Sequence, residues 1–156
     1  MADIEQRLAA LGLSLPPPWQ PRGAFLPWRR TDKLLFLSGQ ICEWNGAVLC
    51  EGPAGERCSV EQAREAARIC ALNLLYCIKL ACGSLDEIQE VVRLGGFVNC
   101  VPGFPDAPKV IDGASALFID LFGEAGQHVR TAVGVAGLPG NAAVEVDAIV
   151  RLKHCG

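Results

Sequence analysis

Three segments constrain the fold of this chain more than any other feature. LLFL at 34–37, VVRLGGFV at 91–98 and TAVGVA at 131–136 are apolar on both alternating faces of an extended backbone. A strand with one face in water alternates apolar and polar residues, so strands of this kind are covered on both sides. Two long helical segments can supply one cover. Ser59 opens the first, Gln62 three residues on completes a capping box, and Gly83 closes it. Along it Ala63, Ala66, Cys70, Leu74, Cys77 and Ala81 recur at three- and four-residue steps and form one apolar face. The second spans about Lys109 to Phe122, with Val110, Ala114, Leu117, Phe118 and Leu121 inward and glycines at 123 and 126 terminating it. Two helices cover only one face of a sheet. Another copy of the same sheet is the economical cover for the other, so the pattern predicts an oligomer.

The remaining elements fall around these. Strands are expected over Ala24–Trp28 and Leu34–Ser38, and Asn45-Gly46 within EWNGAVL favours a tight hairpin turn. A longer strand covers about Ile88–Asn99, interrupted at Gly95-Gly96, where a bulge is expected. Two last strands flank GLPGN at 137–141. Asp3 can cap a short helix, with Gln6 three residues on, Ile4, Leu8 and Leu11 in one stripe, and Gly12 at its end. LPPPWQPRG at 15–23 follows as a proline-fixed extended arm. The predicted order is βββαβαββ, an α+β class with an antiparallel-rich sheet and two helices on one face. At 156 residues one domain is expected, with residues 1–23 as helix and arm and 24–156 as core.

Composition narrows the partners. Apolar residues make up 51% of the chain and mean hydropathy is +0.28, which suits a folded domain. No apolar run approaches the ~18 residues of a membrane span, and MADIEQRLAA carries early acids and no hydrophobic signal region, so a cytoplasmic location is expected. A net charge of −3, with WRR at 28–30 the only arginine pair, argues against a nucleic-acid partner. Small molecules and proteins remain. The eight cysteines contain no Cys-x-x-Cys, and the two histidines form no ligand-spaced pair, so no metal is assigned and all eight are expected as free thiols.

Within HVRTAVGVAGLPGNAAVEVDAIV at 128–150, Arg130 stands at the mouth of one strand and Glu145 inside the next. By spacing alone, Glu145, Asp147, Arg151 and Lys153 alternate onto one strand face, and a solvated, salt-bridged face is the favoured reading. Arg130 then reads as a surface cation, Ser38-Gly39 as a bulge or turn, and His128 as a loop histidine.

Three stretches in this order resemble the Rid (YjgF) family of reactive-intermediate deaminases: FLSGQI at 36–41, VIDGASALFIDLFGEAGQHVRTAVGVAGLP at 110–139 and AAVEVDAIV at 142–150. LGLSLPPPWQPRGAFLPW at 11–28 resembles the longer branch of that family. The resemblance implies a chorismate-mutase-like fold and a homotrimer with pockets between subunits. It also implies hydrolysis of small imines and enamines, such as 2-aminoacrylate and its tautomer, to a 2-keto acid and ammonia, without cofactor or metal. It places the substrate-anchoring role on Arg130, whose planar fork matches a carboxylate, and the water-directing role on Glu145. Phe25, Ser38, Gly39 and Ala132 line the implied pocket. Three positions depart from the family pattern: Phe25 stands where well-known members have a pocket tyrosine, Ala132 where they have a cysteine, and Asp112 where the longer branch has an asparagine. These departures support an alternative, a trimer that binds a small carboxylate or 2-keto acid without turnover. Endoribonuclease activity, a label sometimes attached to the family, sits poorly with the acidic pI and the absence of a histidine acid/base pair.

Overall fold

The computed structural model describes residues 3–154. Helix α1 (Ile4–Ala10) starts at Asp3, whose carboxylate accepts from the Glu5 N–H, and it buries Ile4 and Leu8 in the same core as the rest of the chain. The arm that follows is tied down at Trp19, whose indole N–H donates to Asn73 at 3.2 Å. Strand β1 covers Trp28–Thr31, not the Ala24–Trp28 expected. Pro27 has no N–H to give a ladder, so the arm persists through it and pairing begins one residue later. Strand β2 covers Leu34–Ile41, and β3 (Glu43–Trp44) and β4 (Ala47–Val48) form a separate hairpin. Its turn residues Asn45 (φ 51°) and Gly46 (φ 83°) are both left-handed, as a turn that follows the strand twist requires.

Helix α2 (Val60–Cys82) carries the expected capping box, Ser59 and Gln62 each satisfying the other's backbone, and ends on Gly83 in the left-handed region. Strand β5 covers Ile88–Asn99, α3 Ala107–Phe122, β6 Val129–Val135 and β7 Val144–Leu152. The main sheet has the order β1-β2-β7-β5-β6, antiparallel except for the parallel β5–β6 pair that α3 connects. Helix α2 lies over β2 and β7, and α3 over β5 and β6, so both cover one face. The α+β architecture is as expected; the hairpin adds two short strands outside the main sheet.

Two glycine positions show what packing demands. A Cβ on Gly113 would run into the Arg64 carbonyl, so α2 and α3 cross at backbone distance. The bulge expected at Gly95-Gly96 is absent; register shifts fall earlier, between Ile88 and Glu90 and between Val91 and Arg93. Gly96 instead clears space for Ile111 of α3.

The opposite face of the sheet is left open by this chain. Phe36 pairs with Ile149, and Phe97 with Glu145 and Val133, which places apolar groups among the ion pairs Arg93–Asp147 (3.5 Å) and Arg151–Glu90 (3.3 Å). No helix of the described residues is long and apolar enough to cross a membrane.

The thiols need one correction. Cys50 and Cys58 are paired as a disulfide with Cα atoms 6.8 Å apart, where free thiols were expected. Residues between them fold into a tight turn, with Arg57 N–H donating to the Pro53 carbonyl at 2.8 Å and Gly55 N–H to the Cys58 carbonyl at 2.9 Å. That closure is invisible to an argument from Cys-x-x-Cys spacing. Cys42, Cys70, Cys77, Cys82 and Cys100 are free, and Cys155 lies outside the described residues.

Candidate functional site

The first half of the site is a cavity of about 380 Å³ between the arm and the β2–β7 end of the sheet, lined among others by Trp19, Arg22, Phe25, Gly39, Gln40 and Glu145. A register shift between Leu37 and Gln40 bends β2 here. It leaves Gly39 facing the Glu145 carboxylate so closely that a Cβ on Gly39 would lie 2.7 Å from Oε2. A side chain at Gly39 would have to push the Glu145 carboxylate aside. Ser38 turns out to be an anchor: its hydroxyl donates to the Leu26 carbonyl at 2.6 Å and its N–H to the Pro27 carbonyl at 3.0 Å. These bonds hold Phe25 at the cavity with 51% of its surface exposed. Asn73, buried on α2, donates to the carbonyls of Ile41 (3.3 Å) and Glu43 (2.8 Å) while accepting from Trp19. Arg22 pairs with Glu43 and completes the wall.

Glu145 holds its proton above the ordinary carboxylate range, chiefly through burial and then through the neighbouring Asp147 charge. Asp147 is pushed the same way by burial, with Arg93 and the Gly95 N–H opposing. A half-buried carboxylate of raised basicity in a cavity is suited to take a proton from water.

The second half lies elsewhere. Arg130 sits opposite Leu94 in the β5–β6 register and reaches toward α3. Its Nη1 meets Asp112 Oδ1 at 2.8 Å and donates to Ser115 Oγ at 3.0 Å, and its Nη2 donates to the Pro108 carbonyl at 3.2 Å. Ser115 Oγ also lies 2.9 Å from His128 Nε2, and His128 Nδ1 lies 2.7 Å from the Gly126 carbonyl. A carbonyl only accepts, so Nδ1 donates to Gly126, and Nε2 faces the Ser115 hydroxyl. Ala132 stands two residues on, opposite Gly96.

Within one chain, then, Phe25, Gly39 and Glu145 meet at one cavity with Ser38 holding its wall, while Arg130 and Ala132 do not join them. Along β7 the buried residues Val144 and Val146 face the helices and Glu145 faces away, whereas Arg130 bonds to α3 on the helix side, with β5 intervening. The sequence reading missed Trp19, Arg22 and Asn73; His128 lies in the loop before β6, as expected, and its contact with Ser115 is the addition. Asn73 had a signal, as the one amide inside the apolar run ICALNLLYCI; the Ser115–His128 contact had none. Among the described residues no group of three or more His, Cys, Asp or Glu side chains is placed to hold a metal ion.

Residues 5–152 match the family model described as YjgF/chorismate mutase-like, putative endoribonuclease. The chain belongs to the YjgF (Rid) family. Protein TCP17 of Trypanosoma cruzi is 38% identical over 97% of this chain and 95% of its own length. A crystal structure from Agrobacterium tumefaciens, of a protein of unknown function, is 42% identical with a TM-score of 0.89, covering 96% of this chain and 91% of that one. Another, from Shewanella oneidensis and described as a putative endoribonuclease, is 34% identical with a TM-score of 0.93, covering 97% and 100%. In this YjgF-family chain Asp112 lies directly on Arg130.

Proposed function

We propose that this chain is a hydrolytic deaminase of small 2-imino and enamine acids of the 2-aminoacrylate type, forming a 2-keto acid and ammonia. The observation that carries the reading is Glu145, a carboxylate of raised basicity facing Gly39 in an arm-walled cavity. Glu145 takes a proton from water as the oxygen adds to the C=N carbon. That proton passes to the imine nitrogen to give a neutral carbinolamine, whose hydroxyl proton then moves to nitrogen as the C–N bond breaks, leaving a C=O group and ammonia. An enamine enters by first tautomerising to the imine. Arg130 anchors the substrate carboxylate. Because Arg130 and Glu145 do not meet within one chain, the active form in this reading is a homotrimer in which copies cover each other's open sheet face and the edge strand β6 of one copy carries its Arg130 to the Glu145 cavity of the next. The uncovered apolar residues Phe36, Val129 and Val133 support that assembly.

Ammonia and 2-keto acid release from freshly generated 2-aminoacrylate tests the reading. Acceleration over buffer that disappears in Glu145→Gln is expected; a wild-type rate equal to buffer overturns it. A second reading is a trimer that binds small carboxylates without turnover. It is favoured by Phe25, which lacks a hydroxyl, and by the Asp112 charge on Arg130. Pyruvate binding without imine hydrolysis would select it.

A further inference from the structure

We propose that Asp112 sets the ligand selectivity of the Arg130 half of the site: it occupies the guanidinium in the free protein, so a ligand carboxylate binds only by displacing or sharing with it. The inference rests on the reading of Arg130 as the carboxylate anchor.

The contacts of Arg130 support it by a count of donors. A guanidinium has five N–H groups. Nη1 donates to Ser115 and Nη2 to the Pro108 carbonyl, so two of the five are bonded by the chain itself, while Asp112 pairs the charge from 2.8 Å away. Only one of these partners is charged. An incoming carboxylate therefore meets an ion pair of no net charge, and its attraction to Arg130 is offset by repulsion from Asp112 a few ångströms away.

The partners also differ in how easily they leave. Ser115 is buried and bonded to His128, itself fixed by the Gly126 carbonyl, and Pro108 offers main chain. These neutral groups keep Arg130 in place. Asp112 has a side chain 48% exposed, so its carboxylate can turn into water when another anion arrives. Ser115 and His128 are thus the fixed cradle and Asp112 the exchangeable occupant. The site should penalise anionic ligands relative to neutral ones of the same shape.

The test uses the full-length protein and two isosteric probes, anionic pyruvate and neutral pyruvamide, with dissociation constants measured by calorimetry for wild type, Asp112→Asn, Asp112→Ala and Arg130→Ala. Asp112→Asn should tighten pyruvate roughly three- to tenfold, since a half-exposed charge is partly screened. It should leave pyruvamide within about twofold, and the gain should shrink at high salt. Asp112→Ala should show the same sign and stands in if the asparagine variant does not fold. Equal tightening of both probes, or no change in pyruvate, overturns the proposal while leaving Arg130 as anchor, provided Arg130→Ala loses pyruvate. Unchanged pyruvate binding in Arg130→Ala, or none in any variant, overturns the anchoring reading together with this one.

Discussion

The cavity at Glu145 and the cluster at Arg130 are built on opposite principles. Around Glu145 the chain clears space: β2 bulges, Gly39 gives up a side chain, and burial drives the carboxylate toward its protonated form. Around Arg130 the chain fills space: Asp112, Ser115 and Pro108 bind the cation before any ligand arrives. One region leaves a reactive group poorly satisfied, and the other satisfies its group with residues that a ligand must supplant. An unsatisfied base favours proton transfer, whereas a satisfied cation favours discrimination between ligands.

The sharpest way to break this comparison is Glu145→Gln. Loss of a general base should lower turnover roughly 10²- to 10⁴-fold, measured as ammonia release, with 2-keto acid binding largely intact. A loss of binding in place of turnover would place Glu145 with Arg130 as a ligand contact. Arg130→Ala comes next. Losing a charge-assisted pair of about 2–4 kcal/mol should reduce kcat/KM roughly 30- to 1000-fold, with partial rescue by Arg130→Lys. Melting temperature and oligomer mass from light scattering should change little; a dissociated oligomer with normal hydrolysis would make Arg130 structural.

Gly39→Ala should have a smaller effect, about tenfold on turnover, because its Cβ would displace the end of the Glu145 side chain and leave the backbone in place. An unchanged rate would mean that the position of this carboxylate is unimportant. The smallest effect is on stability against pH. Glu145 and Asp147 have folded pKa values above their unfolded ones, so the folded state holds protons more tightly. Their favourable contribution is present below the unfolded pKa and is lost as pH rises through the folded value. Glu145→Gln removes the Glu145 share of that loss, so its melting temperature relative to wild type should rise as pH increases above the ordinary glutamate value of about 4. A difference independent of pH would show that burial does not raise the Glu145 pKa.

Much of the fold was legible because its signals are local. Ser59, Gln62 and Gly83 bound α2 through their own backbone bonds, and Asn45-Gly46 sets a turn by its φ angles. Gly95-Gly96 misled because a glycine pair states only that a side chain is unwelcome; the contact with Ile111 that explains Gly96 comes from a helix later in the chain. Cys50 and Cys58 misled for a similar reason, since the turn that joins them is made by backbone bonds that leave no spacing motif.

The site divides in the same way. The sequence by itself determined the strands, through their apolar periodicity, and through its family resemblance it offered the residues proposed for the chemistry: a fixed cation at 130, a carboxylate at 145 and a glycine at 39. Only the tertiary structure decided their surroundings. Strand alternation turned Glu145 and Arg130 to opposite faces, the β2 bulge aimed one at Gly39, and the packing of α3 laid Asp112 and Ser115 on the other. A charge's basicity, and whether it is free to meet a ligand, depend on groups within a few ångströms in space, and those groups include residues as far as 15 and 106 positions away in the chain.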